Sequence, residues 1–319
     1  MMGAYWHEVN IIPVLTTSPY SSIMVNMNRI DTQARAQIIR CLAEGNSIRS
    51  TVRITGVAKN TVVNLLLEVA EVCREYQDGA LRNLSCKRLQ LDEIWSFVHS
   101  KERNTKPERK AQGAGDVWTW TAIDADSKLI VSWLVGNRDS MCATEFVKDV
   151  ASRLKHRVQI TKDGHKPYLI AVEEAFGADV DYAVLQKIYG KPEEDEKRYS
   201  PAQCIGIKID MVQGDPDPGH ISTSYVERQN LSMRMMMRRF TRLTNGFSKK
   251  ITNHAAAVAL YFMHYNFCRV HQTLRVTPAM EAGIADHVWD HEEIIALLDA
   301  KEAQKLARRG PYKKAANSN

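Results

Sequence analysis

The hydrophobic period of this chain changes once, near residue 80, and that change limits the folds open to it. Before it, apolar residues recur at helical spacing. Val62, Leu65, Leu66, Val69, Val72 and Cys73 stand at i, i+3, i+4, i+7, i+10 and i+11, which predicts one long helix from about Lys59. Asp31 is placed to cap a helix over 32–44 with Gly45 as its stop. Ser47 is placed to cap a short helix through about Ile54, with Gly56 making the next turn. After a linker at 79–87 the pattern becomes that of strands, expected at 88–98, 117–124 and 129–135, with a polar, flexible hairpin excursion over 100–115. A helix over about 142–154 and a strand over 157–161 come next. Helical stretches are expected over 167–176 and 181–189, then a weaker strand over 203–212. The turn-rich Gly214-Asp-Pro-Asp-Pro-Gly219 closes that unit, and a long basic helix runs from Ser222 to about Leu243.

Two functional surfaces are readable from this order. Three short helices with a glycine turn before the last fit a helix-turn-helix module over 28–78, whose final helix would be the recognition element. Arg49 and Arg53 flank the turn, and Lys59, Asn60, Thr61 and Asn64 stand at the start of that helix, where base edges are usually met. A plain three-helix packing unit is the competing reading. The second surface is a set of carboxylates far apart in sequence: Asp92 on the first strand, Asp163 after a later strand, and Glu227 on the basic helix. Three acids delivered by separate elements suit two-metal phosphoryl transfer, in which hard cations stabilise the attacking and leaving oxygens together. Asp124 and Asp210 compete for the second position, and His165 and His220 are further candidates for metal ligands. Strand alternation puts Leu91 and Glu93 on the face opposite Asp92, so Asp92 is chosen for the site and Glu93 is expected to be exposed or to face the hairpin. Glu227 shares a helical face with Asn230, Leu231, Arg234 and Arg238.

Charge supports an acidic partner. The 319-residue chain carries a formal net charge of +6. Between Arg228 and Met280 there are nine Lys or Arg residues and no Asp or Glu, a local +9 directly behind Glu227. An uncompensated run of that kind suits a phosphate backbone. The six cysteines are scattered without a C-x-x-C pair, which excludes a zinc knuckle and reads as core filler in a reducing compartment. No apolar run approaches the roughly 18 residues that span a bilayer, and residues 1–26 lack the basic start of a signal peptide. Residues 1–27 are expected to be a poorly ordered extension, and 291–319 a helical basic tail.

Several segments resemble transposases of bacterial insertion sequences of the DDE type, in particular the first-described insertion-sequence family in a single-reading-frame form. The similar segments are Asn46-Ser-Ile-Arg-Ser-Thr-Val-Arg-Ile-Thr-Gly-Val57 with Asn60-Thr-Val62, Leu91-Asp-Glu-Ile-Trp95, and Asp163-Gly-His-Lys-Pro-Tyr168 with Ala171-Val-Glu-Glu-Ala-Phe-Gly177. Tyr225-Val-Glu-Arg-Gln-Asn-Leu231, Tyr265-Asn-Phe-Cys-Arg-Val-His-Gln-Thr-Leu274 and Thr277-Pro-Ala279 complete the set. The resemblance implies an α/β, RNase H-like catalytic domain over 88–290, a mixed sheet flanked by helices, preceded by the all-α helix-turn-helix domain. It implies Asp92, Asp163 and Glu227 as catalytic and metal-binding residues, and so favours Asp163 over Asp124 and Asp210. Two Mg²⁺ ions are implied as cofactors, with Mn²⁺ as substitute. Asn230, Arg234, Arg269 and His271 become DNA-handling residues beside Arg238. The implied partners are double-stranded DNA, both terminal inverted repeats and target, and a second copy of the chain in a homodimer or larger synaptic complex, with no membrane. A cytoplasmic, nucleoid-associated location goes with it. The zinc finger that members of the family can carry ahead of the helix-turn-helix has no cysteines here. A non-catalytic DNA-binding regulator and a structure-specific nuclease on the same fold are the alternatives.

Overall fold

A computed structural model describes residues 30–190, 204–241 and 245–309. The expected N-terminal extension, Arg242 and the last ten residues of the basic tail lie outside the described residues. The chain begins with α1 (Thr32–Ala43), α2 (Ile48–Thr55) and α3 (Lys59–Ala80). Their ends follow the local chemistry of the sequence. The Asp31 carboxylate accepts the Ala34 N–H at 2.7 Å, the Ser47 hydroxyl accepts the Ser50 N–H at 3.0 Å, and Gly56 closes α2 in the left-handed conformation. Gly45 is also left-handed (φ 79°), and a Cβ there would strike the carbonyl oxygen of Met236. The turn between α1 and α2 is therefore seated against a distant part of the chain.

Next come β1 (Arg88–Val98), β2 (Gly115–Asp124), β3 (Ile130–Gly136), α4 (Ser140–Arg153), β4 (Val158–Lys162), α5 (Pro167–Phe176), β5 (Val180–Tyr189) and β6 (Cys204–Gln213). They build one sheet in the order β3-β2-β1-β4-β5-β6. The first three strands are an antiparallel meander, β4 and β5 run parallel to β1, and β6 returns antiparallel on the edge. This mixed six-stranded sheet flanked by helices is compatible with an RNase H-like fold. Then follow α6 (Ser224–Met236), α7 (Ile251–Met263) and α8 (His291–Arg309). Among the described residues no helix is long and apolar enough to cross a membrane.

Two expectations are corrected. Residues 181–189, expected as helical, are strand β5. The run Val-Asp-Tyr-Ala-Val-Leu is too short for its period to separate helix from strand, and it becomes an inner strand through its parallel pairing with β4. The basic helix stops at Met236 rather than near Leu243. Met237 turns extended (φ −114°, ψ 111°), and both Met237 and Phe240 are buried in the cluster that contains Ile94, Val98 and Phe262. No helix-breaking residue marks that stop, so tertiary burial sets it. The excursion over 100–115 contains two short helical turns, Glu102–Asn104 and Pro107–Lys110.

One large core joins the helical start to the sheet. Ile38, Ile39, Leu66 and Val69 belong to the same buried cluster as Leu91, Phe146, Leu260 and Ile295. Within the expected linker Leu81, Leu84 and Cys86 are buried, and Leu84 bridges Leu154. Lys301 of the basic tail pairs with Glu71 and Glu75 of α3 at 2.7 and 2.6 Å. Cys204 is exposed and Cys268 half-buried, whereas the other four cysteines are buried as core filler. The motif after α7 is largely structural. The buried Asn266 side chain accepts the N–H of Ile130 and donates to its carbonyl at 2.9 and 3.0 Å, and so fastens the start of β3.

Candidate functional site

β4 is only five residues long, and its parallel pairing with β1 ends at Leu91 and Lys162. Beyond that point β1 continues with β2 on one side, and on the other a notch without strand pairing extends until Val98 bridges Ser248. Asp92 is the first residue of β1 past the pairing, and Asp163 is the first residue after β4. Side chains from both faces of β1 can lean into such a notch. One carboxylate oxygen each from Asp92, Glu93 and Asp163 lies within 4.8 Å of the others. This overturns two statements from alternation: Glu93 is not exposed, and it is not kept apart from Asp92. Its carboxylate is 1% exposed and is held by Arg138 at 3.1 Å and Lys162 at 3.4 Å.

Lys162 organises the group and was not picked out from the sequence. Its side chain is fully buried, its Nζ lies 2.8 Å from Asp163 Oδ1, and it sits 3.6 Å above the ring of Tyr168 on α5. The available signal was a lysine ending β4, Val158-Gln-Ile-Thr-Lys162, a strand that is buried along its whole length. Burial lowers the Lys162 pKa against the pull of Glu93 and Asp163. Burial alone would push Asp163 upward, but the Lys162 ammonium beside it brings its carboxyl below the usual value. Asp92 behaves in the opposite way. Burial first, and then the like charges of Glu93 and Asp163, push it up to about 7. Its Oδ1 accepts the Glu93 N–H at 2.8 Å.

Helix α6 lies across the Asp92 face of β1. The Gln90 side-chain oxygen accepts the N–H groups of Tyr225 and Val226 at 2.8 and 3.1 Å, anchoring the helix start. One turn later Asn230 donates to Asp92 Oδ2 at 2.7 Å, and its own amide oxygen is buried with no partner. Glu227 lies between these two anchors. Its carboxylate is exposed, accepts from Thr223 at 2.7 Å and pairs with Lys187 of β5 at 2.5 Å. The ion pair therefore comes from another strand, and among the described residues Glu227 is outside the group formed by Asp92, Glu93 and Asp163.

The remaining candidates divide clearly. Asp124 hydrogen-bonds Ser127, and Asp210 pairs with Lys208 at 2.9 Å; neither joins the carboxylate group. His165 donates its backbone N–H to Asp163 at 3.2 Å and keeps a buried, unpartnered Nε2, while His220 pairs with Asp217. Arg49 and Arg53 are exposed at the start and near the end of α2, and Lys59, Asn60, Thr61 and Asn64 are exposed at the start of α3. Arg234 lies one turn beyond Asn230, whereas Arg238 falls past the helix end. Arg269 is exposed, and His271, with Lys128 and Arg269 as charged neighbours, is half-buried.

An all-oxygen donor set, with one carboxyl driven up by burial and by its like-charged neighbours and an orphaned amide oxygen beside it, suits a hard divalent cation. No family model matches the chain, and no curated protein matches it. Among solved structures it is similar to a piggyBac transposase in a cryo-EM synaptic complex with hairpin DNA, at a TM-score of 0.37 and 9% identity. That match covers 89% of this chain and 73% of the other. A likeness this distant fixes neither fold nor function.

Proposed function

We propose that this chain is a DNA transposase that cuts and joins strands at the ends of a mobile element. The observation that carries the reading is the convergence of Asp92 and Asp163 in the notch past β4, with α6 tied to Asp92 through Asn230. Two further features support it: the exposed polar residues at the α2–α3 turn, and the acid-free basic stretch behind Glu227.

In this reading Asp92 and Asp163 hold Mg²⁺, with Glu227 as the third ligand once it leaves Lys187. Bound there, the metal would activate a hydroxyl and stabilise charge on the phosphorus. The chain's own residues do the positioning. Lys162 and Arg138 hold the Glu93 carboxylate in place, Lys162 keeps the Asp163 carboxyl below its usual value, and Asn230 fixes the Asp92 carboxylate. Lys187 compensates Glu227 until a cation replaces it. Arg234 and Arg238 receive the DNA backbone beside the notch. Arg49, Arg53, Lys59, Asn60, Thr61 and Asn64 recognise the terminal repeats.

The test is incubation with the flanking element ends, a target plasmid and Mg²⁺. Wild type is expected to give strand-transfer products, and Asp163→Asn to lower their yield by about a thousandfold or more, the scale of losing a group that acts only in the transition state. Products that persist in Asp163→Asn would remove it from the site. Specific binding of the ends with no cleavage by wild type would leave a DNA-binding regulator instead.

A further inference from the structure

β6 is the last strand of the sheet, and among the described residues no strand pairs with its outer side. It is ten residues long, contains no proline, and pairs regularly with β5 from Gly206 to Met211. Sheets commonly protect such an edge with proline, an outward bulge or a covering segment, since its unpaired N–H and C=O groups invite another strand. The side chains heighten that invitation. Within the regular stretch Ile207, Ile209 and Met211 alternate onto one face and are 59%, 44% and 54% exposed, while Ile205, 68% exposed, lies at the irregularity before Gly206. Lys208 and Asp210 occupy the other face as an exposed ion pair at 2.9 Å.

We propose that β6 pairs antiparallel with β6 of a second copy of this chain, across a twofold axis at Ile209. This register is selected by charge. Centring on Ile209 places Lys208 of each copy opposite Asp210 of the other, Ile207 opposite Met211, and Ile209 opposite itself. Centring on Lys208 or Asp210 would set like charges face to face, which is unfavourable for directly opposed residues. The segment is thus self-complementary, as an isologous contact requires. The two sheets become one continuous sheet, and the isoleucine rows of both copies form a shared stripe. Lys187, the register partner of Ile207 on β5, carries the ion pair to Glu227. The joined edges therefore run one strand away from that carboxylate in each copy. The inference does not depend on the function proposed above.

Two experiments on the full chain test it. In sedimentation velocity over a concentration series, wild type is expected to self-associate. Lys208→Asp and Asp210→Lys are each expected to weaken association about tenfold, by setting like charges opposite one another at two symmetric positions. The double variant Lys208→Asp/Asp210→Lys restores the complementarity and should regain wild-type association. All variants are checked for an unchanged circular dichroism spectrum, since these exposed side chains leave the core intact. In the second experiment, mild oxidation of Ile209→Cys should give a disulfide-linked dimer, because residues opposed at the axis lie within disulfide reach. Native Cys204 stands opposite Gly214 in this register, so wild type should not cross-link. Wild type that remains monomeric, a double variant that stays weakened, or a cross-link through Cys204 in place of Ile209→Cys would each overturn the proposal.

Discussion

Two regions bury ionisable side chains in opposite ways. At the notch past β4, Glu93 and Lys162 are buried side by side, each paired with a side chain of opposite sign. At the junction of α1, the turn after α7 and the start of α8, His264 and His291 are buried as neutral rings stacked 5.3 Å apart. Burial first, then the nearby Arg269 for His264 and the neighbouring His264 and Arg40 for His291, lowers each pKa to about 4. Paired burial makes a site depend on its partners. Neutral burial makes a junction depend on pH. The first arrangement keeps charges ready where chemistry is proposed, and the second joins the N-terminal helices to the rest of the molecule.

Removing a partner should separate the two most strongly. Lys162→Met leaves Glu93 buried beside Arg138 alone and should cost about 3–5 kcal/mol of stability, the range for breaking a buried pair. The check is urea unfolding at pH 7, and a loss under 1 kcal/mol would mean that Lys162 does not hold the notch together. Acid should come next, and should act at the other region. The unfolded histidines titrate near 6.5 and the folded ones near 4, so the unfolded chain binds protons first as pH falls. Stability should therefore decline from about pH 6.5 and level off below about 4, by on the order of 3 kcal/mol per histidine. Thermal melts of His264→Phe should show a shallower decline over that window; a slope equal to wild type would place the acid sensitivity elsewhere. The smallest effect belongs to an exposed pair. Lys187→Ala should change stability by less than about 1 kcal/mol, although its 2.5 Å contact to Glu227 is shorter than the 3.4 Å contact of the buried Lys162–Glu93 pair. A larger loss would show that Glu227 is fixed as rigidly as Glu93.

The sequence carried some of this architecture openly and hid the rest for physical reasons. Asp31 and Ser47 announced their helices because a cap is a local contact between a side chain and a backbone three residues on. The meander of β1, β2 and β3 was legible from its polar breaks. β5 was read as helix because an inner strand has no polar face to reveal its period, and with β5 misread Lys187 had no strand from which to reach Glu227. Glu93 was misassigned because alternation presumes a neighbour on both sides, and where β4 stops is a property of the assembled sheet. Asp92 and Asp163, 71 positions apart in the chain, stand in one group of carboxylates, while the Glu227 carboxylate is turned to Lys187.

The glycine turn between α1 and α2 has a consequence for scale. Gly45 rests on Met236, the last residue of α6, and Glu227 lies nine positions earlier on the same helix. At 1.5 Å per residue the helix is a ruler of about 14 Å between that turn and the carboxylate. The first three helices are thereby seated at a set offset from the Glu227 carboxylate, kept by one short rod of protein.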